Sequence, residues 1–110
     1  MASPLPPPLK EVDVNLLVFV QRYATDLLKW DILTFFAHHP DFGISVTQIA
    51  QALGRSLPSI QSELGDLVML GILEKQKISD HQTVYQLTTE TYLRQMILKF
   101  AEQFPPPSTP

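Results

Sequence analysis

The 110-residue chain contains no cysteine. A disulfide framework and a thiolate metal site are therefore excluded, and a reducing compartment suits the sequence, with the cytoplasm the expected location. Glycine is scarce, with four residues at Gly43, Gly54, Gly65 and Gly71. None of them falls in a phosphate-binding loop or dinucleotide fingerprint. Long hydrophobic runs are also missing. The longest unbroken apolar stretch, residues 16–20, is far too short to span a bilayer, and the opening Met1-Ala2-Ser3-Pro4 lacks the basic start and apolar core of a signal peptide. No Ser nucleophile elbow and no paired-carboxylate signature stands out, so neither catalysis nor a cofactor is expected. Positive charge is in short supply: eight Lys and Arg face eleven Asp and Glu, for a net −3.

What the chain has in abundance is proline at its ends and aliphatic residues between them. Eight of the ten prolines sit in residues 1–11 and 105–110, which read as extended flanking tails around one domain at 12–104. The centre of that domain is residues 45–87. Ser45 and Gln48 form a capping box, and Val46, Ile49, Ala50 and Leu53 follow at i, i+3, i+4 and i+7. Gly54 is placed for a left-handed helix stop. Ser56 then caps a second helix, with Pro58 in the first turn, Ile60, Leu64 and Leu67 inward, and Gly71 closing it. Two helices joined by a short Gly-containing turn make a helix-turn-helix at 45–70. Residues 72–87 change period, and the polar four at 79–82 suit the loop of a β-hairpin between two runs. The fold class is mainly α with a small β-hairpin (α+β), a winged helix-turn-helix.

Outside this unit, residues 12–24 read as a first helix with apolar residues around much of its circumference. Residues 27–38 form the first helix of the winged unit, capped by Thr25 or Asp26 and stopped by Pro40. Residues 89–104 form a last helix, capped by Thr88 or Thr89, with Leu93, Ile97, Phe100 and Phe104 in one stripe. His38, His39 and Asp41 invite a metal reading, but only His81 could add a further imidazole, and a polar helix end is the simpler reading. No metal is expected.

The residues Ser56, Pro58, Ser59, Ile60, Leu64, Leu67 and Gly71-Ile72-Leu73, with the strand Tyr85-Gln86-Leu87-Thr88, resemble the winged-helix regulators of the ArsR and MarR type. The resemblance covers residues 27–88. It implies a DNA-binding transcriptional regulator acting as a homodimer on a short inverted-repeat site. By the same resemblance Arg55, Ser56, Pro58, Ser59, Gln61 and Ser62 would meet DNA from the second helix, and Lys75, Lys77 and His81 from the wing. The flanking helices would pair two subunits through Leu16, Phe19, Val20, Tyr23, Leu93, Met96, Ile97, Phe100 and Phe104.

One feature opposes this reading. Between residues 45 and 87, Arg55, Lys75 and Lys77 stand against Glu63, Asp66, Glu74 and Asp80, and many relatives carry Arg or Lys near the positions of Ser62 and Glu63. The alternative is a winged-helix module that docks a protein partner, with little or no DNA binding.

Overall fold

The computed structural model describes residues 13–104. The proline-rich segments 1–11 and 105–110 lie outside the described residues. Five helices and one hairpin follow in the order α1 (Val14–Tyr23), α2 (Leu27–His38), α3 (Val46–Leu53), α4 (Leu57–Met69), β1 (Leu73–Ser79), β2 (Gln82–Leu87) and α5 (Thr91–Gln103). This is a winged helix-turn-helix with one added helix at each end.

Local chemistry sets most of the boundaries. The Asp13 carboxylate accepts from the Asn15 and Leu16 amides and opens α1, two residues later than the sequence reading. Asp26, rather than Thr25, caps α2. At α3 both halves of the capping box form: Gln48 N donates to Ser45 Oγ at 3.2 Å, and Ser45 N donates to Gln48 Oε1 at 3.0 Å. Gly54 ends α3 at φ 65° and Gly71 follows α4 at φ 82°, conformations that a Cβ would strain. The α5 cap differs from the expectation. Glu90 accepts from the Tyr92 and Leu93 amides, whereas Thr88 is buried and Thr89 donates to Glu74 Oε2. The Glu90 carboxylate reaches forward to these two first-turn amides, so the threonines are not the caps.

The wing is an antiparallel pair in the register Leu73–Leu87, Lys75–Tyr85 and Lys77–Thr83. Its loop is tighter than expected: Ser79 pairs with Gln82, leaving Asp80 and His81 at the tip and Ile78 as the extra residue of a bulge. Ile44 adds a single bridge to Tyr85 with both hydrogen bonds at 2.8 Å, so a rudimentary third strand precedes α3.

One core joins all of these elements. Ile32, Leu33 and Phe36 of α2, Ile49 of α3, Ile60, Leu64 and Leu67 of α4, Ile72, Leu87, and Ile97 and Phe100 of α5 are fully buried. Phe100 packs against Phe19 of α1 at 5.9 Å and Trp30 of α2 at 5.6 Å between ring centroids. The Trp30 indole N–H donates to the Phe104 carbonyl at 2.9 Å, so a half-buried ring of α2 holds the end of α5. α1 and α5 thus belong to the same core as the winged unit. Among the described residues no helix is long and apolar enough to cross a membrane.

Two outcomes follow. Gly65 lies mid-helix on the wet side of α4, and a Cβ there meets no atom within 4 Å. Gly65→Ala should therefore raise stability by about 0.5–1 kcal/mol in chemical denaturation. At α5, hydrogen bonds from the Leu93 and then the Tyr92 amides hold the Glu90 carboxyl below its ordinary value of 4.5. Its contribution is present above that value and lost as the pH falls through the lowered one. Glu90→Gln should lower Tm at pH 7, and the gap to the parent protein should narrow as the pH falls below the ordinary carboxyl value of 4.5.

Candidate nucleic-acid interface

The geometry starts from α4. Ile60, Leu64 and Leu67 are buried, and this stripe fixes the rotation of the helix. Pro58, Ser59, Gln61, Ser62, Asp66 and Met69 consequently lie on the exposed side. Ser56 caps the helix, its hydroxyl accepting from the Ser59 amide at 3.4 Å and lying 2.9 Å from Ser59 Oγ. The first turn of α4 therefore presents small hydroxyls beside the positive end of a helix dipole, an arrangement that favours phosphate oxygens.

The wing stands beside this helix. Lys75 and Lys77 share one face of the hairpin with Tyr85 and Thr83, their cross-strand partners. A polar cleft of about 280 Å³ separates that face from the helices. It is lined by Gln61 of α4, by Ser45, Val46 and Thr47 at the start of α3, and by Lys75, His81, Gln82, Thr83 and Tyr85 of the wing. Gln61, Lys75 and His81 are thus brought to one place. Ser45, Thr47, Gln82 and Thr83 join them there, although in the sequence Ser45 reads only as a helix cap and Gln82 only as part of a hairpin loop.

Charge is distributed differently from its order along the chain. Glu63 does not face outward. Its carboxylate accepts from Lys29 Nζ of α2 at 2.5 Å, with the two side chains 19% and 15% exposed. Lys29 also stands 3.6 Å from Asp26 and 3.9 Å from Asp66. Its ammonium is held above the usual lysine range, chiefly by the hydrogen bond to Glu63, with burial opposing and the charges of Glu63, Asp26 and Asp66 adding. Glu74 points to the other side of the hairpin and caps the 88–89 segment, accepting from the Thr89 amide at 2.9 Å. Two of the four acidic residues between 45 and 87 are therefore engaged elsewhere.

The cations divide as well. Arg55 is bound to Asp31 of α2 at 3.2 Å, tying the turn before α4 to the scaffold. A guanidinium has five donors, so this pair leaves some of them available to a second acceptor. Lys29, Arg94 and Lys99 are also in ion pairs. Lys75 and Lys77, exposed on the wing, make no ion pair among the described residues. The hairpin thus carries unpaired positive charge next to α4, whose Glu63 is paired with Lys29 while Asp66 stays 58% exposed at 3.9 Å from the same ammonium. His38 and His39 end α2 in exposed positions, and the His39 ring lies 4.9 Å from that of Phe35. Among the described residues no group of three His, Cys, Asp or Glu could hold a metal ion.

The nine residues read as a subunit interface fall into two sets. Leu16, Phe19, Met96, Ile97 and Phe100 are buried within the single chain, where they build its own core. Val20, Tyr23, Leu93 and Phe104 are half-buried. The apolar surface that α1 and α5 leave open is carried instead by Val14, Leu17, Val18, Tyr92 and Leu98. Helical periodicity alone could not separate the two sets, because α1 is apolar on several sides.

No family model matches the sequence, and no curated protein matches it. Solved structures do match. The transcriptional repressor BigR from Xylella fastidiosa is similar at 21% identity with a TM-score of 0.66, over 83% of this chain and 85% of that one. HlyU from Vibrio cholerae N16961 is similar at 19% identity with a TM-score of 0.65, over 86% and 97% of the two chains. The AntR antimony-specific transcriptional repressor is similar at 20% identity with a TM-score of 0.59, over 92% and 94%. At these identities the likeness is one of fold, and the chain carries the winged helix-turn-helix architecture of BigR, HlyU and AntR.

Proposed function

We propose that this protein is a DNA-binding transcriptional regulator that acts as a homodimer on a short inverted-repeat site. The observation that carries the reading is the juxtaposition of Gln61, Lys75 and His81 around one polar cleft, next to the hydroxyl-rich first turn of α4. On this reading α4 lies in the major groove, with Ser59, Gln61 and Ser62 towards base edges. Lys75 and Lys77 contact the phosphates beside it, with His81 at the wing tip, and Arg55, Ser56 and Pro58 flank the helix start. BigR and AntR, two of the similar structures, are transcriptional repressors, which agrees with the reading. With few cations on the face, specificity comes from hydroxyl and amide contacts and affinity is modest at physiological salt.

The exposed apolar residues of α1 and α5 support pairing of two copies. Val14, Leu17 and Val18 are 70%, 41% and 52% exposed, and Val18 borders a small groove with Phe19, Tyr23, Tyr92 and Leu93. A patch of this kind on adjacent helices marks an interaction surface. The protein-docking reading draws on Met69, 87% exposed beside Asp66 on α4.

Fluorescence anisotropy with a random-sequence duplex separates the two readings. Binding at low salt that weakens steeply with added salt is the expected result, and no binding at low salt would leave the docking reading. Lys75→Glu with Lys77→Glu should weaken binding at least tenfold and flatten the log–log salt slope by about 2, at roughly 0.9 per lost phosphate contact. Both positions are exposed, so Tm should hold. For the dimer, Val18→Glu should give a folded monomer by light scattering. A parent protein already monomeric at micromolar concentration would remove the dimer from the proposal.

A further inference from the structure

Lys29 lies on α2, outside the helix-turn-helix unit, yet it is the cation that two acidic residues of α4 share. Its ammonium donates to Glu63 at 2.5 Å and stands 3.6 Å from Asp26, the cap of its own helix, and 3.9 Å from Asp66, whose side chain is 58% exposed. Glu63 is drawn back against α2, while Asp66 remains on the side of α4 that carries Ser59 and Ser62. Without Lys29, Glu63 would leave its half-buried position for water, since an unpaired charge is poorly held there. Two uncompensated carboxylates would then stand on or beside the helix face.

We propose that Lys29 is a positioning residue for DNA binding, which holds Glu63 off the outer face of α4 and offsets the charge of Asp66 so that a phosphate backbone can approach. The inference rests on the reading of α4 as the DNA-facing helix. It gives Lys29 a role in affinity without any contact to DNA. A lysine that only fastens α2 to α4 would affect stability, and its loss would weaken binding by the same factor at every salt concentration. A lysine that masks carboxylates has a different signature: the effect of its loss is electrostatic and shrinks as salt screens the repulsion.

The test uses the full chain and a labelled random-sequence duplex at 50 and 200 mM salt, with Tm measured for every variant. Lys29→Gln is expected to raise Kd about fivefold or more at 50 mM, with the gap narrowing to about twofold at 200 mM. Lys29→Arg keeps the charge and should stay within about twofold of the parent protein. Lys29→Gln combined with Glu63→Gln removes one charge of each sign and should recover most of the lost affinity. Folded Lys29→Gln that binds like the parent protein, a gap independent of salt, or a double variant that recovers nothing would each overturn the proposal. Should Lys29→Gln fail to fold, Glu63→Gln carries the test. Its amide still accepts from Lys29, the freed charge is shared between Asp26 and Asp66, and Kd at 50 mM should fall about twofold. Unchanged or weaker binding would count against the inference. A parent protein that binds no DNA at low salt overturns the DNA reading and this role together, whereas binding insensitive to Lys29 overturns this role alone.

Discussion

The rotation of α4 about its own axis is the constraint on which the rest of the site depends. Ile60, Leu64 and Leu67 are all at 0% exposure, so turning the helix by even one residue would lift at least one of them into water. Fully burying an aliphatic side chain is worth roughly 1.5–3 kcal/mol, so three of them outweigh any single surface ion pair, at about 0–1 kcal/mol. Core packing therefore decides which polar side chains reach solvent. Ser59, Gln61, Ser62 and Asp66 are on the outside because the apolar stripe is on the inside.

The same packing explains how a protein of net −3 can present a surface suited to an anionic partner. Counting charges along residues 45–87 mixes two faces of the hairpin and two faces of α4. In three dimensions Glu63 is paired with Lys29, and Glu74 accepts from Thr89 on the far side of the wing. Lys75 and Lys77 remain on the face that borders the cleft. On the proposed DNA-binding reading the acidic balance has a consequence: repulsion between the whole molecule and DNA is not cancelled, so local contacts must carry the attraction.

The flanking helices show how one residue class serves two purposes. Phe100 sits between Phe19 and Trp30 and locks α1, α2 and α5 into one core. Once those rings are buried, Val14, Leu17 and Val18 are left on the far side of α1. An apolar helix that is half consumed by its own chain keeps the remaining half for something else.

Much of the fold was legible in the sequence because its signals are local. The Ser45–Gln48 capping box, the Gly54 stop and the Ser56 cap act within four or five residues, so the spacing of residue types is enough to read them. The alternation and loop chemistry of the wing are local in the same sense, although its turn proved two residues long and its bulge at Ile78 invisible beforehand. The cap of α5 was misread because Thr88 and Thr89 have the preferred chemistry, while their hydroxyls are engaged by Glu74 from fourteen and fifteen residues away. The candidate site was legible only in outline. Sequence order placed Gln61, Lys75 and His81 on two elements, but their meeting around a cleft with Ser45 and Thr47 is a product of how the wing folds back on α3. The division of α1 and α5 into core and open surface, and the capture of Glu63 by a lysine thirty-four residues earlier, were likewise decided by tertiary structure. Helix starts and stops depend on neighbours in the chain, whereas charge pairing and burial depend on neighbours in space.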